Sequence, residues 1–328
     1  MNEESPNREQ KAKPPSVWLV VLGFNNAADT VECFKSLADS DYPNKHLLFV
    51  DNDSKDDSVA RVIAEIPGVH VLQTGKNLGF SRGYNVGLDF SLRQGADYVF
   101  MINNDTVVAP GCVSALVKTA VLHPRAGVVV PKIFYYDHPK SIWSAGSRYR
   151  PFPPSIVMRK TAGDDDGRFD HDPQLEFATT CALLLSRRFL EEIGLLDADF
   201  FIMYDDYDWS LRCRDGGYDI LLVPSAHLWH KVSKSTGVGT RSPFFWTHYG
   251  RSSALFARKH CKRWWMTGPF HMLYILARMV VEGKYFGLKP YLQGYCQGLR
   301  AEIHPPPKPL QNLTDPFTVV LFSLFSGT

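Results

Sequence analysis

The sequence predicts an α/β protein: a doubly wound, mostly parallel, Rossmann-like sheet followed by a helical C-terminal extension. Three observations carry this expectation. From Val17 onward, short β-branched runs alternate with amphipathic helical stretches. The strand-like runs are continuously apolar, as strands covered on both faces should be. Polar clusters follow the strand ends, where sheets of this kind bind ligands.

The elements follow in order. Val17–Leu22 reads as a buried strand ending at Gly23-Phe24-Asn25-Asn26, and 28–38 as a helix with Val31, Phe34, Leu37 and Ala38 on one face. Leu47–Val50 is a second strand closed by Asp51-Asn52-Asp53-Ser54, with a helix over 58–66. A third pair follows at 69–73 and 81–93, and a fourth strand at 98–102 ends in Asn103-Asn104-Asp105. A helix (111–122) and strand (127–130) precede a Pro/Gly/Asp-rich stretch, 135–172, that reads as a long polar loop. Strand 178–185, helices 188–193 and 209–215, and strand 220–223 complete this part. Two or more helices lie between His248 and Leu299. No internal repeat is evident.

At 328 residues and 45% hydrophobic composition the chain can bury a full core. A net charge of +2 argues against a nucleic-acid partner, which would call for a strong basic excess. The charge is nevertheless uneven: residues 244–308 hold ten Lys/Arg against Glu282 and Glu302, leaving an acidic body before them. The six cysteines form no C-x-x-C pair or zinc-type cluster and read as reduced thiols in a reducing compartment. Residues 1–15 read as a polar, disordered lead-in and not a signal peptide, and no apolar run approaches the roughly 20 residues that span a bilayer, so no integral membrane protein is expected. The longest runs are 272–281, interrupted by Arg278, and 317–325.

Four segments can carry chemistry. Asp105, released at the end of a buried strand, suits a hard divalent cation held by one or two carboxylates plus phosphates, though Asn-Asn-Asp is also ordinary turn chemistry. Asp205, Asp206 and Asp208 crowd among aromatic side chains just before a helix. One of them can cap that helix, but a cap does not account for three, and crowded carboxylates beside apolar rings suit a general base. His227 and His230 follow a strand and could equally be ordinary imidazoles. Glycines at 75, 79, 83 and 87 put small residues on one face at a helix start, with amides open to an anion.

In this order the segments resemble those of a family-2 glycosyltransferase, in the style of bacterial rhamnosyltransferase-like members. The matching pieces are Val20-Val-Leu-Gly-Phe-Asn25, Val50-Asp-Asn-Asp-Ser54, Asn77-Leu-Gly-Phe80 with Asn85-Val-Gly87, and Asn103-Asn-Asp105. Ile142-Trp-Ser-Ala-Gly146, Asp205-Asp-Tyr-Asp-Trp-Ser-Leu-Arg212 and Val223-Pro-Ser-Ala-His-Leu-Trp-His230 complete the set, over about residues 17–260. The resemblance implies a GT-A fold, a nucleotide-sugar donor and inversion at the anomeric carbon. It implies that Asp51, Phe24 and Asn25 face the donor's base, with Asn77, Gly79 and Asn104 on the donor side. Asp105 and His230 would hold Mg²⁺ or Mn²⁺ against the diphosphate, and Asp206, with Asp205 beside it, would deprotonate the acceptor hydroxyl. Trp143, Gly146 and Arg251 match acceptor-side positions.

The chain departs from the family pattern in having Asp205 where Glu is usual, Asn104 where Pro or a second acid is usual, and Thr180-Cys181 where Gly is common. The implied organisation is a catalytic domain over 16–243, its donor part within 16–110 and its acceptor and catalytic part within 111–243, followed by a basic, aromatic helical region over 244–328. That region suggests contact with an anionic membrane surface, hence a cytoplasmic enzyme peripheral on the inner face of the cytoplasmic membrane with a glycan or lipid-linked glycan acceptor. The competing readings are a nucleotidyltransferase of similar fold and an inactive sugar-nucleotide binding protein.

Overall fold

The computed structural model describes residues 13–150, 155–232, 242–309 and 320–322. Most of the lead-in, part of the 135–172 stretch and most of the apolar run at 317–325 lie outside the described residues.

The first half lays down β1 (Val17–Gly23), α1 (Ala27–Ala38), β2 (Lys45–Asp51), α2 (Ser58–Glu65), β3 (His70–Gln73), α3 (Gly79–Arg93) and β4 (Tyr98–Asn103). Then come β5 (Thr106–Val108), α4 (Cys112–Leu122), β6 (Ala126–Tyr135), β7 (Ile142–Ser144), β8 (Ser147–Arg150), β9 (Ser155–Met158) and β10 (Gln174–Leu175). The remainder is β11 (Ala182–Ser186), α5 (Arg187–Ile193), α6 (Asp205–Asp215), β12 (Asp219–His230), α7 (Pro243–His260), α8 (Trp264–Val281), α9 (Leu288–Arg300) and β13 (Val320–Phe322). The main sheet runs β10-β12-β6-β11-β4-β1-β2-β3-β13. Strands β4, β1, β2 and β3 are mutually parallel, as are β6 and β12, while β11 is antiparallel to both β4 and β6. The fold is therefore the expected mixed, mostly parallel α/β sheet with C-terminal helices.

Alternation along each strand feeds two cores. Leu19 and Val21 pack with Phe34, Phe49, Phe100 and Leu116 on the face covered by α1, α2 and α4. Trp18 and Val20 point the other way, to Leu48, Tyr84, Leu88, Met101, Phe189 and Trp209 beneath α3, α5 and α6. Both faces are covered, which is why β1 shows no polar residue in its apolar run.

Three stretches differ from the sequence expectation. The 135–172 stretch is not a polar loop: it contributes β7, which pairs with β6, and the β8–β9 hairpin. Ile142 and Ala145 are fully buried there, and the buried Lys132 ammonium is clasped by Asp165 at 2.5 Å and by Asp170. Polar composition concealed this because the anchoring is ionic. Helix α6 begins at Asp205, four residues before the expected start, so the acid cluster is its first turn, at the positive end of its dipole. Strand β12 runs on through Pro224, its register against β6 shifting between Val223 and His227. Beyond the bulge it pairs with β5, with His230 opposite Thr106.

Helices α7 and α9 meet backbone to backbone. A methyl group on Gly250 would lie 2.1 Å from the Tyr291 carbonyl oxygen, one on Gly294 would lie 1.8 Å from that of Thr247, and one on Gly298 would lie 2.4 Å from that of Arg251. This unit has its own small core of Trp246, Ala254, Ile275, Met279, Tyr291 and Tyr295. Leu255 joins it to Phe200 and Tyr204, just before α6. The chain then returns to the sheet edge as β13, paired with β3. Among the described residues no helix is long and apolar enough to cross a membrane. All six cysteines are free thiols, four of them buried.

Candidate active site

A cleft of about 890 Å³ opens at the C-terminal ends of β1, β2 and β4. It is walled by Phe24, Asn77, Gly79, Asn104, Asp105, Trp143, Asp205, Asp206 and His230, nine of the residues singled out from the sequence. Asn25, Asp51, Gly146 and Arg251 do not line it.

On one side the loops after β1, β2 and β3 are tied together. The Ser54 hydroxyl accepts the Asn25 amide at 2.8 Å, and Asp51 Oδ1 accepts the Ser54 amide at 3.1 Å. Asp51, 2% exposed, thus stands behind Asn25 and shapes the loop. Asn52, which the sequence did not single out, is the knot: its Nδ2 donates to Asn77 Oδ1 at 3.2 Å and to the Gly79 carbonyl at 3.1 Å, while its Oδ1 accepts the Leu78 amide at 2.9 Å. The α3 N-terminus is not open to an anion at its first turns. The Gly79 amide donates to Asn77 Oδ1 at 2.9 Å and the Phe80 amide to the Phe201 carbonyl at 2.7 Å. Gly79, at φ +78°, has no room for a side chain, since Phe201 lies 2.6 Å from where a Cβ would be.

At the floor, Asp105 leaves the β4–β5 turn and meets His230 from the end of β12, with Oδ1 and Nε2 3.1 Å apart. The β12–β5 register and the Lys231 amide donating to the Asp105 carbonyl at 2.9 Å fix the approach. Both side chains are buried, and neither nitrogen of His230 makes a well-directed hydrogen bond. Burial resists charging this imidazole, but the Cys181 thiol and Asp105 beside it push its pKa up to about 10, so a cation bound here would have to displace a proton from it. An acid and an under-satisfied imidazole nitrogen at the ligand edge fit a divalent cation completed by phosphate oxygens. Among the described residues no cluster of three such side chains forms a self-sufficient metal site, so phosphate would have to complete it. Asn104 lines the cleft with its amide anchored by donation to Thr30 Oγ1 at 2.9 Å, while Trp143 stands edge-on to His230 at 4.5 Å.

Across the cleft the three acids of α6 have different fates. Asp208, 1% exposed, is held by Arg212 at 2.8 Å and by His260 Nε2 at 2.8 Å. Burial raises its pKa, but these two partners outweigh it and keep the carboxyl below its ordinary value. Asp205 has the Thr180 hydroxyl at 2.9 Å, and burial pushes it up to about 6. Asp206 faces the cleft; its enclosure by protein and then the Asp205 charge hold it well above the usual carboxylate range. Two proton-hungry carboxylates therefore face the cleft, and the third is structural.

The turn before them is held in place from all sides. Met203 (φ +68°) and Tyr204 (φ +64°) are both left-handed, a conformation costing about 1–2 kcal/mol per residue. The Ile202 carbonyl accepts Ser252 Oγ at 2.9 Å, the Asp199 carbonyl accepts Arg251 Nη1 at 2.6 Å, and the Tyr204 hydroxyl meets His271 Nε2 at 3.2 Å. Arg251 thus braces this turn from outside the cleft. Gly146, at φ +81° with Leu175 packed against it, sits behind Trp143. Sequence reasoning also missed Tyr204, Tyr207, Phe244, Phe245 and Tyr249, which give the cleft an aromatic wall. The signal was present in the aromatic runs 200–207 and 244–249.

A model of "Glycosyl transferase family 2" matches residues 18–194, from β1 through α5. The N-acetylglucosaminyl-diphospho-decaprenol L-rhamnosyltransferase of Mycobacterium tuberculosis is 26% identical over 242 residues, 67% of this chain and 76% of the relative. The dTDP-rhamnosyl transferase RfbF of Shigella flexneri is 22% identical over 221 residues, 66% and 69% of the two chains. Among solved structures, the mannosyltransferase PcManGT of Pyrobaculum calidifontis, in complex with GDP-Man and Mn²⁺, superposes with a TM-score of 0.53 at 14% identity, covering 89% of this chain and 77% of that one. That likeness speaks for a shared fold. With the family match extending over more than half of the chain, the protein belongs to glycosyl transferase family 2 and is a glycosyltransferase of GT-A fold.

Proposed function

We propose that the protein is an inverting transferase that moves a sugar, with rhamnose from dTDP-rhamnose the first candidate, from a nucleoside diphosphate to a hydroxyl of a glycan or lipid-linked glycan. The observation that supports this most is the placement of the proton-hungry Asp205–Asp206 pair and the Asp105–His230 pair on the walls of one cleft.

Asp206 is the base. As the acceptor oxygen bonds to the anomeric carbon and the bond to the diphosphate breaks, the hydroxyl proton passes to the Asp206 carboxylate, worth roughly 10²–10⁴-fold in rate. Asp205 keeps that carboxylate basic by its adjacent charge. Phe24, Asn25 and Asp51 shape the pocket for the donor's base, and Asn77, Gly79 and Asn104 complete the donor side. Asp105 and His230 are the ligands for a divalent cation, and the imidazole favours Mn²⁺ over Mg²⁺. Such a cation, when bound, neutralises charge developing on the leaving diphosphate. Trp143 forms the acceptor side with Gly146 behind it, and Arg251 acts from outside the cleft by bracing the turn that leads to Asp205. We place the enzyme peripherally on the inner face of the cytoplasmic membrane through its basic region after residue 244.

The test is a donor panel of dTDP-rhamnose, UDP-glucose, UDP-galactose and GDP-mannose, each with Mn²⁺ or Mg²⁺, read by calorimetry. One nucleotide sugar should bind in a cation-dependent way, and Asp206→Asn should retain that binding while losing transfer. Wild-type turnover in Asp206→Asn would remove Asp206 as the base.

A further inference from the structure

Helix α8 is apolar on two opposite faces, and the fold uses only one. Gly268, Ile275 and Met279 are buried against α7 and α9. At 3.6 residues per turn, Met266, Phe270, Leu273, Ala277, Val280 and Val281 fall on the opposite side. Phe270 is 70% exposed, Leu273 57% and Val281 87%. A helix face bathed in water ordinarily carries polar side chains, whereas this stripe runs the whole helix without one. Exposed aromatic rings stand at both ends: Trp265 at the start, and Tyr285 and Phe286 just past the last turn.

We propose that this stripe is a bilayer-docking surface, with α8 lying in the headgroup plane of an anionic membrane. Residues 262–300 contain six Lys/Arg and one acid, Glu282, so the segment that carries the apolar stripe is strongly basic. That charge selects the occupant. A second copy pairing through the same stripe would bring two basic surfaces together, whereas anionic lipid complements them. The helix is too polar to span a bilayer, which leaves the in-plane arrangement.

The opposite, inner face of α8 is the one that reaches the walls of the cleft. Phe245 and Tyr249 of α7 line the active cleft and also a small pocket closed by Ile275, Arg278 and Met279 of α8 and by Glu282. His271 of α8 meets the hydroxyl of Tyr204, the residue before Asp205. The docking surface deepens the peripheral placement proposed above, and its test needs neither donor nor acceptor.

The experiment is co-sedimentation of the full chain with phosphatidylcholine vesicles, with and without a third phosphatidylglycerol, at low and high salt and with no donor or acceptor present. Binding is expected to anionic vesicles at low salt and to be at least about tenfold weaker for neutral vesicles or high salt. Phe270→Glu/Leu273→Glu should reduce it by about tenfold or more, with circular dichroism and thermal midpoint unchanged. Lys262→Glu/Arg263→Glu should weaken it by a smaller factor. No binding at low salt, or binding indifferent to Phe270→Glu/Leu273→Glu, overturns the proposal. So does a dimer seen by light scattering that the same variant abolishes, since the stripe would then belong to a second copy. Vesicle binding that persists in a protein inactive on every donor would count against the proposed function alone.

Discussion

The Asp205–Asp206 pair makes a prediction whose sign is fixed by the structure. A carboxyl acting as base must be deprotonated, and both of these are raised, so transfer should fall as pH drops through the pair's apparent pKa. The base is Asp206, held well above the usual carboxylate range, so wild-type activity should fall about tenfold per pH unit along the acid limb. In Asp205→Asn the Thr180 hydroxyl still has an oxygen to bond, but the charge that helps keep Asp206 protonated is gone. The acid limb of the kcat/KM profile should therefore move to lower pH, while the plateau falls because a less basic carboxylate is a weaker proton acceptor. Stability moves the opposite way. A carboxyl raised on folding contributes stability below its unfolded value and loses it as pH rises through the folded one, so at pH 8 Asp205 opposes folding. Replacing it should stabilise the protein by about 2–3 kcal/mol at pH 8, the gain shrinking as pH falls through 6 toward 4. The assays are pH-resolved initial rates and urea titrations at the two pH values. An acid limb that stays put or moves upward in Asp205→Asn would refute the coupling argued here.

Three further outcomes follow from the geometry. Gly294→Ala forces the α7–α9 contact apart, because its methyl would sit 1.8 Å from a carbonyl oxygen; the expected loss is about 1–3 kcal/mol by denaturation, despite a helix-propensity gain of about 1 kcal/mol. Asn52→Ala releases the donor loop, and should weaken nucleotide-sugar binding in calorimetry with a stability loss of about 1–3 kcal/mol from the buried groups left unbonded. His230→Ala should lower Mn²⁺ affinity in the presence of nucleoside diphosphate by about tenfold or more, read by calorimetry without turnover. Unchanged affinity would leave Asp105 as the sole protein ligand.

The sheet was legible because its strands are buried on both faces and its ligand-edge clusters are polar, so β1 to β4 and their loops stood out within a residue or two. The acids at 205 and 206 were visible as a crowd of like charges, but only the partners across space separate their roles. Arg212 could be guessed from its spacing to Asp208, whereas His260 and Thr180 could not. The 135–172 stretch was misread because a buried lysine and two aspartates anchor it, and composition alone cannot distinguish such ionic anchoring from a solvated loop. Asn52 went unnoticed for a similar reason: a buried amide serving three backbone and side-chain partners looks in sequence like one more turn residue.

The route by which His230 reaches Asp105 bears on how the enzyme is made. The acid emerges at the end of β4, early in synthesis, but its partner arrives only at the far end of β12, after β11 has been inserted between β4 and β6. A nascent chain can thus pair β1 to β4 and build the loops after them while the Asp105–His230 pair is still missing. The first hundred residues alone accordingly lack both His230 and the Phe201 carbonyl that accepts the Phe80 amide. The floor of the cleft closes only once β12 is in place, and Phe244, Phe245 and Tyr249 of α7 complete its wall after that.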